Sequence, residues 1–180
     1  MRGFRISRGA LILVPMTGPA TSSFTIRAAE PCDAAAMCEV LRRSIIELCV
    51  LDHRNDPARL AEWLADKTPG QVTDWITHPG NRLFVATAGE VILAVGGISG
   101  TGEITLNYVS PDGRFQGASR AMLKMLEQAL REKGHRRAVL TSTLTAHDFY
   151  LAAGYTDSGT KAYETGAWPR MEKMLTDNHG

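Results

Sequence analysis

The sequence predicts an α+β protein in which helices flank a single mixed, mostly antiparallel sheet. Three strand-like runs follow one another through tight turns between residues 82 and 109. Runs with helical periodicity lie on both sides of this meander, and a further strand follows the helix at 117–133. The chain has 180 residues, which suits one domain.

The N-terminal third of this domain is predicted to hold one strand and three helices. The run "FTIRAA", which begins at Phe24, alternates apolar and polar residues and predicts a strand. Apolar residues then recur at helical spacing over 33–49. Asp56 followed by Pro57 is a typical start for a second helix, to about Asp66. A short helix at 72–76 completes this part.

The rest of the chain is predicted to supply most of the sheet. The meander strands are Arg82–Ala88, Val91–Ser99 and Glu103–Val109, and Gly89 opens the first hairpin turn. The remaining elements are a helix at 117–133 that ends before Gly134, a strand at 137–143, a short helix at 146–153, and a strand pair at 155–163 and 170–175.

Composition narrows the classes of function. The net charge of +1 gives no basis for a nucleic-acid interface, and no run of about 18 apolar residues predicts a membrane span. Three cysteines without metal-ligand spacing indicate reduced thiols in a cytoplasmic protein, with no metal site. Residues 1–22 are expected to form a flexible tail before a domain at 23–180.

The junction "GRFQGASR" has the composition of an anion site at a helix N-terminus. The first turn of a helix leaves backbone N–H groups without partners, and its dipole adds partial positive charge. Small residues at Gly117, Ala118 and Ser119 allow an anion to approach the backbone, while Arg114 and Arg120 add charge. By themselves, these residues are a weak signal, and an ordinary loop that starts a helix is the more plausible interpretation.

Two motifs in the correct order resemble the GCN5-related N-acetyltransferase (GNAT) superfamily. The family carries [QR]-x-x-G-x-[GA] after its fourth strand, and residues 114–119 match it with a serine in the last place. Downstream, "TLTAHDFYLAAGY" matches the family's second motif from Ala146 to Tyr155, with Thr143 where asparagine is usual. The resemblance covers about residues 24–176 and implies the acyl-CoA N-acyltransferase fold.

The resemblance implies acetyl-CoA as co-substrate. In the family, backbone groups of the fourth strand contact the pantetheine arm and the thioester, and the loop and helix after it hold the pyrophosphate. The implied cofactor-binding residues are Asn107, Tyr108, Val109, Arg114, Phe115, Gln116, Gly117, Ala118, Ser119, Arg120, Thr143 and Tyr150.

The resemblance also implies two catalytic roles. Tyr150 matches the tyrosine that acts as general acid toward the leaving thiolate. Glu103 stands where some members of the family carry a catalytic glutamate, and the alternative is a solvent-exposed glutamate at a strand end. The family's other common base would fall at Ala138, so that base is missing.

The polar segment after the first helix is where the family often builds its acceptor site. Asp52, His53 and Trp63 are therefore candidates for binding the amine, with helix capping and core packing as the alternative. Trp75 and Trp168 are interpreted as packing residues. The function that the resemblance implies is direct transfer of acetyl from acetyl-CoA to an amine of a small molecule or protein. The alternatives are a CoA-binding module with lost or regulatory activity and a structural domain that does not bind CoA. The resemblance also allows a homodimer.

Overall fold

The computed structural model describes residues 24–163 and 166–175, so the predicted tail at 1–22 lies outside the described part of the chain. Six α-helices and seven strands are present in that part. The helices are α1 (Ala34–Arg43), α2 (Val50–His53), α3 (Pro57–Leu64), α4 (Pro69–Thr77), α5 (Ala118–Glu132) and α6 (His147–Ala152). The strands are β1 (Thr25–Ala28), β2 (Arg82–Ala88), β3 (Val91–Ile98), β4 (Glu103–Val109), β5 (Arg137–Thr141), β6 (Thr156–Tyr163) and β7 (Gly166–Met174).

The strands form one sheet in the order β1-β2-β3-β4-β5-β7-β6. Every neighbouring pair is antiparallel except β4 and β5, which are parallel and joined through α5. A parallel pair needs such a crossover, because a tight turn can join only antiparallel strands. The predicted α+β class with a mixed, mostly antiparallel sheet is confirmed.

The parallel pair of strands is open over most of its length. β4 and β5 pair only at Glu103 with Val139 and at Ile104 with Leu140. From Thr105 onward, β4 pairs only with β3, while β5 ends at Thr141. The two strands therefore diverge and leave a gap in the middle of the sheet.

Helices cover both faces of the sheet. On β2, Leu83 and Val85 join a core with α1 and α4, whereas Phe84 and Ala86 join a second core with α5. This division follows from the alternation of side chains along a strand. At Gly96 of β3, an added Cβ would lie 2.5 Å from the sulfur of Met122, so the glycine permits close packing of α5.

Several element boundaries differ from the sequence prediction. The helix α4 begins at Pro69 and not at residue 72, and β7 begins at Gly166 and not at residue 170. The helix predicted over 33–49 is α1 continued by a π-helical turn at Ser44–Leu48, followed by the separate α2. The chain leaves α2 through Arg54 and Asn55, both with positive φ. The strand predicted to reach residue 143 ends at Thr141, although the next backbone N–H, that of Ser142, still donates to the carbonyl of Pro169 in β7.

Candidate functional site

Two cavities meet where β4 and β5 diverge. One has a volume of about 570 Å³ and lies toward α5 and α6, and we call it the donor cavity. The other has a volume of about 540 Å³, lies toward α3, α4 and β7, and is called the acceptor cavity. Both fall in the size range of small-molecule sites. They share a floor formed by Ile104, Thr105, Leu106, Tyr108, Thr141 and Thr143.

The donor cavity contains nearly all the residues predicted to bind the cofactor. The three residues at the end of β4, the loop and first turn of α5, Thr143 and Tyr150 all line it. Gln116 does not line it, because its side-chain amide turns back and donates to the Asp112 carbonyl at 3.1 Å. The structure thus brings together residues that lie more than 40 positions apart in sequence.

The N-terminus of α5 at Gly117 is uncapped and open. Gly117 is the N-cap of α5 with a φ of 80°, and no side chain caps the helix. No heavy atom lies within 4 Å of the position of an added Cβ, so the space beside the glycine is open. Phe115 is 93% exposed, also has positive φ, and carries the Arg114 guanidinium over its ring at 4.7 Å. The first-turn N–H groups therefore face open space beside positive charge.

Tyr150 projects from α6 into the donor cavity. Its side chain is buried, and the Asn107 amide Nδ2 donates to its hydroxyl oxygen at 3.4 Å. Burial raises the pKa of Tyr150 to about 12, although the Asn107 hydrogen bond acts in the opposite direction. The phenol therefore keeps its proton at neutral pH. The Asn107 oxygen Oδ1 is buried and has no partner among the described residues.

Cys49 also lines the donor cavity, although no sequence pattern pointed to it. Its side chain is buried, and burial, with a smaller contribution from the charge of Asp52, raises the pKa of the thiol to about 12. Burial likewise raises the pKa of Tyr108 on the shared floor. The thiol therefore stays protonated and is a poor nucleophile.

The loop between β5 and α6 is held by two polar residues. Thr143 Oγ1 accepts a hydrogen bond from the Ala146 backbone at 3.0 Å. The buried Asp52 carboxylate accepts three more, from the Leu144 N–H at 2.6 Å and from the Thr145 N–H and hydroxyl at 3.2 and 2.6 Å. These bonds fix α2 against the loop that leads to Tyr150.

Asp52, His53, Trp63 and Glu103 all line the acceptor cavity. The buried His53 ring accepts from the Asn55 N–H at 3.0 Å, so its Nε2 carries the hydrogen and donates to the Ile46 carbonyl at 3.3 Å. The Arg170 guanidinium holds Oε1 of Glu103 at 3.3 Å. Glu103 and Tyr150 thus belong to different cavities of the same divided sheet.

Several residues of the acceptor cavity were not assigned to a site from the sequence. Trp168 packs edge to face against Trp63 with ring centroids 4.6 Å apart, and Tyr163 lies 6.0 Å from Trp168. Trp75 and Lys161 line the same space. The interpretation of Trp75 and Trp168 as packing residues did not predict that they line this cavity. No local motif could have revealed it, because α3, α4 and the β6–β7 hairpin meet only in the folded chain.

The described residues contain neither a metal-binding cluster nor a membrane-spanning helix. No group of three or more His, Cys, Asp or Glu side chains in 24–163 and 166–175 could hold a metal ion. Within the same ranges, no helix has both the length and the apolar character required to cross a lipid bilayer.

Comparison with solved structures gives the same architecture. A GCN5-related N-acetyltransferase from Rhodopseudomonas palustris is 21% identical, with a TM-score of 0.75 over 84% of this chain and 95% of that one. PaiA N-acetyltransferase from Thermoplasma acidophilum, in complex with coenzyme A, is 17% identical, with a TM-score of 0.72 over 84% and 99%. The yncA structure from Salmonella typhimurium, with its cofactor acetyl-CoA, is 19% identical, with a TM-score of 0.59 over 88% and 97%.

Sequence comparison supplies the assignment to a family. No curated protein matches the chain in sequence. The model of the acetyltransferase (GNAT) domain matches residues 52–175, which include the whole lining of the acceptor cavity, most of the lining of the donor cavity, the loop at 114–119 and α6. That match exceeds half of the chain and agrees with the divided sheet. The chain therefore belongs to the GNAT family of acetyltransferases, enzymes whose acetyl donor is acetyl-CoA.

Proposed function

We propose that this protein transfers an acetyl group directly from acetyl-CoA to an amine. The observation that carries the proposal is the shared floor of the two cavities, because it lets an acetyl donor and an amine meet through the gap between β4 and β5. Holding two reactants in contact in this way converts a bimolecular step into an effectively unimolecular one.

The lining of the donor cavity offers separate contacts for the pyrophosphate and for the pantetheine arm of acetyl-CoA. The open N-terminus of α5 at Gly117, with Arg114 and Arg120 beside it, suits a pyrophosphate. The unpartnered Asn107 oxygen suits a donor such as an amide N–H of the pantetheine arm. Acetyl-CoA supplies the acetyl group as an activated thioester.

Tyr150 is proposed to stabilise the departing sulfur. The nitrogen–carbon bond forms as the carbon–sulfur bond breaks, and the electron pair leaves with the sulfur. The Asn107 amide donates to the Tyr150 oxygen, so the hydroxyl hydrogen remains available to the sulfur. Burial raises the pKa of Tyr150 to about 12, so the hydrogen stays on the phenol at neutral pH. Donating it in a hydrogen bond to the departing sulfur is the role of a general acid.

Glu103 is proposed to take the proton that the amine loses. An alkylammonium has a pKa of about 10.4 and must be neutral to attack, so a base in the acceptor cavity promotes the reaction. Glu103 lines that cavity, and Arg170 orients its carboxylate. Asp52 and His53 are proposed to act indirectly, since their polar atoms are engaged with the backbone of neighbouring loops.

The protonated Cys49 supports direct transfer. It is the cysteine that lines the donor cavity, and with its pKa raised to about 12 it does not form the thiolate that an acetyl-cysteine would require. A rapid initial burst of thiol release in stopped-flow kinetics, with acetyl trapped on Cys49, would contradict this step.

The proposal is tested by release of free thiol from acetyl-CoA in the presence of a panel of amines. Thiol release that depends on an added amine, with the acetylated amine identified by mass spectrometry, is the expected result. Binding of acetyl-CoA without thiol release on any amine would instead support a CoA-binding module. Absence of a thermal shift with acetyl-CoA would contradict both.

A further inference from the structure

The acceptor cavity has an aromatic wall. All three tryptophans of the chain line it, and Trp63, Trp168 and Tyr163 form a continuous cluster through edge-to-face contacts. The three tryptophans are only partly buried, although they are the largest apolar side chains in the protein. Apolar ring surface that faces a water-filled cavity gains free energy when a flat apolar body covers it.

The charges of this cavity are already balanced. Four of the described residues that line it are acidic, and three of these have partners: Asp52 with the 144–145 backbone, Asp66 with Lys67, and Glu103 with Arg170. The fourth, Glu62, is exposed on α3. Arg59 and Lys161 bring further positive charge to the lining. Within the described residues, the cavity therefore lacks the surplus of negative charge that would attract a polycation.

Resting on the proposed function, we propose that the acceptor is a primary amine carried on one aromatic ring, as in an arylalkylamine, and not a polyamine. The ring would contact the Trp63–Trp168–Tyr163 cluster while the amine reaches the shared floor beside Glu103 and Tyr108. A cavity of about 540 Å³ accommodates one such molecule.

Tryptophan fluorescence provides a binding assay that does not depend on turnover, because every tryptophan lines this cavity. The probes are 2-phenylethylamine, n-butylamine, which lacks the ring, and spermidine, which carries several charges. We expect a saturable change in emission, with 2-phenylethylamine binding about tenfold more tightly than either other amine. Equal or tighter binding of spermidine or n-butylamine would overturn the proposal, as would no saturable change.

Substitution of Trp168 tests the aromatic wall directly. Trp168→Leu should reduce the preference for 2-phenylethylamine over n-butylamine to within about twofold, and Trp168→Phe should restore most of it. Unchanged affinity for acetyl-CoA shows that each variant is folded. An undiminished preference in a folded Trp168→Leu protein would overturn the proposal.

The same amines separate this proposal from the proposed function. If 2-phenylethylamine binds preferentially and no amine releases thiol from acetyl-CoA, the transferase proposal fails, and only the preference of the cavity for an aromatic amine stands. If spermidine or a lysine-containing peptide is acetylated with an equal or higher kcat/KM than 2-phenylethylamine, the acceptor class fails and the transferase proposal stands.

Discussion

Tyr150 and Asn107 form a pair whose chemistry depends on burial. A phenol with a pKa of about 12 is a weaker acid than a thiol, whose ordinary pKa is about 9. Complete proton transfer to the sulfur would therefore be uphill, so we propose that Tyr150 acts as a general acid through a hydrogen bond that strengthens as negative charge develops. In this proposal the Asn107 amide stabilises the partial charge that the phenol oxygen gains.

Removing the Tyr150 hydroxyl should slow turnover without weakening donor binding. We expect Tyr150→Phe to lower kcat by about 10²-fold, because general acid catalysis contributes about that much. The Kd for acetyl-CoA should stay within about twofold in calorimetry, since the ring remains in place. Tyr155→Phe is a matched control, because the Tyr155 hydroxyl is buried without a partner among the described residues and lies outside the donor cavity. Reduced affinity with unchanged kcat in Tyr150→Phe would reject the acid role.

Asn107 is expected to act through Tyr150. Asn107→Leu keeps a similar volume and removes the amide that lowers the pKa of Tyr150, so the phenol becomes a weaker donor. We expect kcat to fall by up to about tenfold, the value of one hydrogen bond. A double-mutant cycle separates this role from packing: in the Tyr150→Phe background, Asn107→Leu should cause little further loss of kcat. Additive losses would show that Asn107 acts independently.

At the scale of elements, local patterns predicted the fold, whereas contacts distant in sequence determined the site. Alternation and helical spacing are local signals, and they predicted the meander and α5 nearly to the residue. The motif at 114–119 predicted the loop before α5, because the free N–H groups of a helix N-terminus and the small residues beside them lie next to one another in sequence. The divergence of β4 from β5 and the Trp63–Trp168 contact depend on tertiary packing, which one sequence does not encode in any short stretch.

The N-terminus of α5 can be tested by placing charge in its open space. In Gly117→Glu, a carboxylate enters the region proposed to hold the pyrophosphate, and the positive φ adds strain of about 1 kcal/mol. We expect the affinity for CoA to fall by at least about 100-fold in calorimetry. Gly117→Ala has the strain without the charge and should weaken binding much less. An unchanged Kd in Gly117→Glu would refute the anion site.

At the scale of the whole molecule, the divided sheet places buried, protonated groups between the two cavities. Cys49 and Tyr150 line the donor cavity, and Tyr108 belongs to the floor shared by both cavities. Burial raises the pKa of each group, so the folded protein holds protons that the unfolded chain would release in alkali. The burial that keeps these three side chains uncharged therefore makes the free energy of unfolding fall at high pH.

The pKa of Cys49 determines the pH at which this loss of stability begins. The pKa of Cys49 rises from an ordinary 9.0 to about 12, so the unfolded chain binds fewer protons than the folded protein above pH 9. The free energy of unfolding should fall by about 1.4 kcal/mol per pH unit for each such group, and Tyr150 adds to the slope above pH 10. Urea unfolding between pH 8 and 10 measures it.

Cys49→Ala should flatten this slope between pH 9 and 10, whatever its effect on stability at pH 7. Part of the slope should persist, because burial also raises the pKa of Cys38. Cys32→Ala is the control, since Cys32 is exposed, and it should retain the full slope. Parallel slopes for the wild type and Cys49→Ala would show that the folded protein does not hold the Cys49 proton, and would remove the main physical support for direct transfer.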